Sequence, residues 1–143
     1  MADRKQNEIR QLGLFAGCRP DDVRWIAGVA DAVDVPAGQT IVRQGQRVRE
    51  FVVLMRGVAS ASNGAAAVVL SPGSYIGERG LNEDGLHDRT IETSSPVRLL
   101  VFSPGAYRGM LQRIPAVGRT LLAGKVSELR TAHQDSRSLR AVS

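Results

Sequence analysis

Cysteine, histidine and aromatic residues are scarce in this chain of 143 residues. A single cysteine, Cys18, excludes an internal disulfide and does not by itself build a zinc site. The two histidines, His87 and His133, form no His-x-His pair, and the chain shows no Ser-His-Asp order and no Cys-His pair. We therefore expect a protein that is not an enzyme and that holds neither a metal nor a cofactor.

Long hydrophobic stretches are also missing. No apolar run approaches the ~20 residues that a membrane-spanning helix needs. The N-terminal stretch MADRKQNEIRQ is charged from its third residue and lacks the apolar segment of a signal peptide. We therefore expect a cytoplasmic protein without membrane contact. Because aromatic residues make up only 4% of the chain, its core is expected to be mostly aliphatic.

The length and the composition predict one globular domain. Hydrophobic residues make up 43% of the chain and charged residues 23%, which suffices to bury a core. We assign the domain to residues 1–133 and predict a flexible tail at 134–143, where apolar periodicity is lost. The net charge is +5. The basic residues near the C-terminus are spaced apart without interleaved aromatics, which favours a solvated helix over a nucleic-acid surface: Arg119, Lys125, Arg130, Arg137 and Arg140.

Residues 3–32 have the apolar spacing of helices. Pro20 stands at a helix-opening position, and Asp21 and Asp22 suit the positive end of the helix dipole. The apolar residues at helical spacing are Ile9, Leu12 and Phe15 before this point, and Val23, Ile26, Ala27 and Ala30 after it.

Residues 33–103 are a series of short apolar runs separated by glycine turns. Asn63-Gly64, between two such runs, is the strongest short signal for a β-hairpin. Strands this short and evenly separated are typical of a sandwich or a barrel rather than of βαβ units. The polar, glycine-rich stretch from Gly77 to Thr90 is interpreted as a loop within this β region.

Helical spacing returns at about Pro104. Ser103-Pro104 is a plausible N-cap and first-turn pair. A second helix is expected after Ile114-Pro115, so that the chain closes with a helical hairpin. The apolar residues of the two helices are Ala106, Met110 and Leu111, followed by Val117, Leu121, Leu122, Val126 and Leu129.

Three stretches in this order resemble the cyclic nucleotide-binding domain, the sensor of catabolite activator proteins, cAMP-dependent kinase regulatory subunits and cyclic-nucleotide-gated channels. The resemblance covers about residues 8–130. It implies a mainly β fold with flanking helices: a small double-stranded β-helix (jelly-roll) barrel with N-terminal helices and a C-terminal helical hairpin. The stretches that carry it are PAGQTIV with the following Gln44-Gly45, FVVLMRGV from Phe51, and GSYIGE from Gly73 with the later Arg89-Thr90.

The third stretch resembles the family's phosphate-binding cassette. The resemblance implies that Arg89 holds the cyclic phosphate and that Glu78 accepts a hydrogen bond from the ribose, while Thr90 contacts phosphate or base. A guanidinium suits a phosphate because its hydrogen bonds are charge-assisted and geometrically specific, and glycines let backbone amides approach the anion. The remaining site residues that the resemblance implies are Gly77, Gly80 and Leu81 through their amides, and Arg79.

Several residues of the cassette depart from the family pattern. Arg79 stands where an aliphatic residue is usual, and it can pair with Glu78 or add a phosphate contact. Asp88 precedes Arg89, and a carboxylate at 4 Å from a phosphate costs up to ~4 kcal/mol at an effective dielectric constant near 20. Strand alternation would point Asp88 away from the site. Alternatively, Glu78 and Arg89 form a surface ion pair, which would contribute only ~0–1 kcal/mol.

Two functions are compatible with these residues. The first is a stand-alone cyclic nucleotide sensor for cAMP or cGMP, which signals to a partner through its C-terminal helices. The second is a degenerate domain that no longer binds nucleotide and serves as an interaction or oligomerisation module, for instance a homodimer through Leu122, Val126 and Leu129. These three residues would equally suit packing on the barrel. No sequence-specific DNA binding is expected, because the residues after the closing helix leave no room for a recognition helix.

Overall fold

A computed structural model of the chain describes residues 2–83 and 85–123. The helices are α1 (Ala2–Arg10), α2 (Pro20–Val29), α3 (Glu78–Glu83) and α4 (Pro104–Arg113), with a 3₁₀ turn at Gly13–Phe15. Residues 115–123 are also helical. The strands are β1 (Asp31–Val35), β2 (Thr40–Val42), β3 (Phe51–Arg56), β4 (Ala59–Ser62), β5 (Ala67–Leu70), β6 (Tyr75–Ile76), β7 (Thr90–Thr93) and β8 (Val97–Phe102).

The strands form two antiparallel sheets of four strands each. Their orders are β1-β8-β3-β6 and β2-β7-β4-β5. Neighbours in space are therefore mostly distant in sequence, as in a jelly roll, and the sheets bury apolar residues between them. The mainly β fold with flanking helices that the sequence predicts is confirmed. The hairpin predicted at Asn63-Gly64 joins β4 to β5, and its closing pair is Ser62 with Ala67.

The N-terminal helices form as the apolar periodicity predicts. Ile9 and Ile26 are fully buried, and Pro20 opens α2. The Lys5 ammonium donates hydrogen bonds to the carbonyl oxygens of Ala27 (2.6 Å) and Ala30 (2.7 Å). Cations are favoured at the C-terminal end of a helix. Lys5 therefore caps α2 and stabilises the packing of α1 against it.

The scarce aromatic residues are concentrated at the centre of the core. Most buried residues are aliphatic, as predicted, but all three phenylalanines are fully buried. The ring of Phe51 lies 5.6 Å from that of Phe102 and 4.8 Å from that of Tyr107. Phe51 begins β3 and Tyr107 belongs to α4, so this cluster joins the barrel to the C-terminal helices.

The C-terminal helices begin as predicted. The Ser103 side chain accepts a hydrogen bond from the Ala106 amide (3.1 Å) and caps α4. In the helix at 115–123, Val117 and Leu121 are buried, whereas Leu122 is 63% exposed. Val126, Leu129 and the predicted tail at 134–143 lie outside the described residues. Among the helices of the described ranges, none is long and apolar enough to cross a membrane.

Candidate functional site

The stretch predicted as a loop from Gly77 to Thr90 contains the helix α3 (Glu78–Glu83). The Leu81 amide donates a hydrogen bond to the Gly77 carbonyl oxygen (3.0 Å), which closes the first helical turn. The stretch contains no proline, and Leu81 packs against the main core, so burial favours a helical turn over open coil. The interpretation of the whole stretch as a loop is therefore wrong for residues 78–83.

Glycine is required at position 77 by the backbone and by packing. Gly77 has φ +105°, a conformation that side chains rarely adopt. A Cβ atom there would lie 2.3 Å from the carbonyl oxygen of Glu50. The N-terminus of α3 consequently rests directly on the backbone that enters β3, and its position is determined by the barrel.

Backbone hydrogen bonds tie the second half of the cassette to the segment that follows β2. Gly45 donates to the His87 carbonyl oxygen (2.9 Å), and His87 donates to that of Gln46 (2.8 Å). The Gln44 amide donates to the Thr90 hydroxyl oxygen (3.0 Å). These bonds bracket Arg89 on both sides, so its backbone is held although it precedes β7.

A further pair of bonds folds the cassette onto itself. Gly85 donates to the carbonyl oxygen of Gly80 (2.8 Å), and Val48 donates to that of Gly85 (3.0 Å). Gly80 is buried, and a Cβ atom on it would lie 2.1 Å from Val48. The residues after α3 therefore return beside it, which brings both ends of the predicted site against one segment, residues 43–50.

The structure places the two charged residues of the predicted site in half-buried positions. Glu78 is the first residue of α3, and Arg89 immediately precedes β7. Within residues 2–83 and 85–123, no ion pair joins Arg89 to Glu78 or to another carboxylate. The alternative of a closing surface ion pair is not supported. Arg79 is exposed.

Two expectations about individual residues need correction. The Leu81 amide is already used inside α3, so it is not a donor for a phosphate in this arrangement. Asp88 lies outside any strand, because β7 begins at Thr90, and strand alternation therefore does not determine its direction. Asp88 is exposed to solvent, however, where water screens its charge.

His87 is half-buried. Burial lowers the pKa of its imidazole below the ordinary value of 6.5, and the neighbouring Asp88 carboxylate opposes this by raising it. The neutral form of His87 is consequently favoured beside Arg89.

Asn82 within the cassette and Tyr107 on α4 are two residues that the sequence did not single out. Burial raises the pKa of the Tyr107 hydroxyl, the Asn82 side chain opposes this, and the Glu78 carboxylate adds to the rise. The signal for Tyr107 was its place one residue after Ala106 on the apolar face of α4. Its proximity to α3 depends on the fold and has no sequence signature. In the described ranges, no cluster of three or more His, Cys, Asp or Glu residues could hold a metal ion.

Two relatives match most of this chain in sequence. Acetyltransferase Pat of Mycolicibacterium smegmatis is 26% identical, over 85% of this chain and 40% of that protein. A cAMP-dependent protein kinase regulatory subunit of Aspergillus niger is 27% identical, over 78% of this chain and 28% of that protein. The chain thus spans well under half the length of these relatives.

A solved structure and a family model agree with these similarities. The catabolite activator protein of Thermus thermophilus superposes with a TM-score of 0.77 at 23% identity, over 88% of this chain and 62% of that one. The model of the cyclic nucleotide-binding domain matches residues 32–114, which include all of α4 and both sheets except Asp31. The chain belongs to the cyclic nucleotide-binding domain family.

Proposed function

We propose that the chain is a regulatory module that binds cAMP or cGMP in the cassette at residues 77–90. The observation that carries this proposal is the state of Arg89. Arg89 is half-buried, its backbone is held from both sides, and no carboxylate of the described residues is paired with it. A positioned guanidinium without a counter-ion among the described residues is suited to a cyclic phosphate, which carries one negative charge.

The remaining roles follow from the same geometry. Glu78, half-buried at the start of α3, accepts a hydrogen bond from the ribose. The Thr90 hydroxyl accepts from Gln44 and retains its own proton for donation to the ligand. The amides of Gly77 and Gly80 precede the first helical hydrogen bond of α3 and contribute donors. Arg79, exposed beside Glu78, adds positive charge at the rim.

Calorimetric titration of the purified chain with cAMP and cGMP tests this proposal. We expect saturable binding of at least one nucleotide and an increase in thermal midpoint, since a ligand that binds only the folded state stabilises it. Absence of heat and of a thermal shift at millimolar nucleotide would refute the proposal.

Two arginine variants test, in the same titration, whether the nucleotide binds at Arg89. Arg89→Ala removes the proposed phosphate ligand and should abolish binding. Arg24→Ala is the matched control, because Arg24 is an exposed arginine on α2 that pairs with Asp21. This variant should bind nucleotide as the parent chain does. Unchanged affinity in Arg89→Ala would refute the assignment of Arg89.

Signalling through the C-terminal helices is the second part of the proposal. α4 contacts the barrel core through Tyr107, and the names of two relatives describe regulatory proteins: a kinase regulatory subunit and a catabolite activator. We expect the segment from Ala106 to Leu129 to have two positions. Bound nucleotide would favour one of them, to the extent that the two positions differ in their affinity for nucleotide. The alignment with the acetyltransferase covers 40% of that protein, so a regulatory role of this kind is compatible with a catalytic segment elsewhere in a longer protein.

An interaction module is the alternative function, and the exposure of Leu122 favours it. Leu122 is 63% exposed beside the buried Leu121, so it does not pack on the barrel. Sedimentation velocity of the chain and of Leu122→Ser tests this function: self-association that the substitution weakens would support it. A strictly monomeric parent chain would count against assembly.

A further inference from the structure

The strand β5 forms an open edge of its sheet. In the order β2-β7-β4-β5, it has a neighbouring strand on one side only. No backbone hydrogen bond joins β5 to a described residue outside β4. An open edge presents unpaired backbone donors and acceptors, which can pair with a strand of another chain. Soluble proteins commonly block such edges with charged side chains, proline, bulges or very short strands.

The other three edge strands of the two sheets each have one of these protective features. β1 contains Asp31 and Asp34, and β6 is only 2 residues long. The pairing of β2 with β7 is interrupted by a register shift. β5 contains neither a charged residue nor a proline, and it pairs with β4 in one unbroken register over its 4 residues. β5 is therefore the edge to which a further strand can be added.

The side chains of β5 are suited to such an addition. Val68 and Leu70 are half-buried, whereas Ala67 and Val69 are exposed. Val69 is 73% exposed, more than any other large hydrophobic side chain among the described residues. Opposing side chains of paired strands lie on the same face of a sheet. An added apolar strand would therefore cover part of Val69 and continue the inner face beside Val68 and Leu70.

The distribution of charge indicates which partner this edge fits. All 21 residues from Gly57 to Gly77 are uncharged, and no other uncharged stretch of the chain is longer than nine residues. The chain carries a net charge of +5, so two copies repel each other over most of their surface. In a twofold interface each patch meets itself, so a charged patch would meet its own charge. A neutral edge avoids this repulsion, and it offers nothing to an acidic or basic partner.

We propose that β5 is the interface of a homodimer. Two copies join their β5 edges in antiparallel orientation about a twofold axis, so that two four-stranded sheets become one continuous sheet. Because exposed and inward residues alternate, a continuous sheet requires that Val69 lie opposite Val69 or Ala67 of the second copy. The twofold pairing uses both open edges, so assembly stops at the dimer. This interface does not depend on nucleotide binding, and it is separate from Leu122.

Sedimentation velocity of the full chain without nucleotide tests the proposal. The edge is short, so we expect a weak, reversible dimer that forms between about 10 μM and about 1 mM protein. Added sodium chloride screens the repulsion between two positive chains and should strengthen the dimer, whereas it would weaken an interface made of ion pairs. A chain that stays monomeric at about 1 mM would overturn the proposal. Oligomers larger than the dimer would also overturn it.

Lysine variants test whether the dimer forms through β5. Val69→Lys places a charge at the open edge and should raise the dissociation constant at least about tenfold. Ala67→Lys, on the same exposed face, should act in the same direction. Val33→Lys is the matched control, because Val33 is a valine, 40% exposed, on the edge strand β1 of the other sheet. It adds the same charge and should retain the dissociation constant of the parent chain. Equal weakening by Val69→Lys and Val33→Lys would refute the assignment to β5.

Two further measurements separate this interface from one at the C-terminal helix. Amide hydrogen exchange of the parent chain at low and high protein concentration should show slower exchange within β5 at high concentration, because pairing occupies its outward amides. Leu122→Ser should leave the dimer intact. Dimerisation that Leu122→Ser abolishes and Val69→Lys leaves unchanged would overturn the proposal. Thermal midpoints at low concentration verify that each variant is folded.

Discussion

Gly80 of α3 lies directly against the side chain of Val48. A Cβ atom on Gly80 would be 2.1 Å from Cγ2 and 2.5 Å from Cβ of Val48. Val48 is 7% exposed, and its amide donates to Gly85, on the return path after α3. The absence of a side chain at position 80 thus allows the cassette helix to approach the segment that carries Val48.

Gly80→Ala is predicted to destabilise the chain although alanine is the better helix former by ~1 kcal/mol. The added methyl group overpacks the contact with Val48, and overpacking typically costs about 1–3 kcal/mol. Equilibrium unfolding in guanidinium chloride measures this. Val48→Ala should relieve the clash, so the double variant should lose less stability than the two single losses predict together. Strict additivity would contradict the contact.

Glu8 is the centre of a charge network between α1 and the barrel. Its carboxylate lies 3.2 Å from Arg56 and 3.2 Å from Arg98, and Arg98 also bonds to Asp34 at 3.1 Å. The side chains of Glu8 and Arg98 are only 15% and 17% exposed, whereas that of Asp34 is 73% exposed. The interior part of the network therefore depends on one carboxylate.

Glu8→Gln is predicted to destabilise the chain by about 1–3 kcal/mol, less than the loss from a fully buried pair because water still reaches the site. Asp34→Asn, at the exposed end of the same network, should cost below about 1 kcal/mol. Equilibrium unfolding in denaturant measures the free energy of unfolding of both variants. Equal losses would show that burial does not set the contribution of this network.

Protonation of His87 is predicted to lower stability in mildly acidic solution. The fold lowers the pKa of His87 below 6.5, so the unfolded chain binds the proton more readily. Neutral His87 contributes its full stabilisation above pH 6.5, its ordinary pKa. This contribution is lost as pH falls through the lower pKa that His87 has in the folded chain. Unfolding between about pH 7.5 and 5 should show the parent chain losing stability relative to His87→Gln. Parallel pH profiles would contradict this.

Ser103→Ala is predicted to cost about 1 kcal/mol, because the Ala106 amide loses its capping acceptor. Ser103→Asp supplies another acceptor and should retain most of the stability. Thermal unfolding compares the three chains. Because α4 carries Tyr107, the alanine variant should also loosen the contact with Phe51, visible as broader aromatic NMR signals. An alanine variant as stable as the parent would exclude the cap.

Local chemistry made much of the fold predictable from the sequence. Pro20 and Ser103-Pro104 mark helix starts because their preferences act within one turn. Asn63-Gly64 marks a hairpin because Gly64 has φ +95°, which few other residues adopt. The order of the glycine turns and the spacing of the cassette residues sufficed to predict the family.

The tertiary structure decided what depends on residues far apart in the chain. Residues 78–83 are helical because Leu81 reaches a core built from other elements, and the local sequence alone favours a loop. His87 is half-buried because it pairs with Gln46, and Asp88 lies outside a strand because β7 begins two residues later. The ring of Tyr107 and Gly77, the residue before α3, both lie against Phe51, which is distant from each of them in the chain. The sequence by itself determined the family and the candidate site residues; packing between distant segments determined how these residues are held and what they touch.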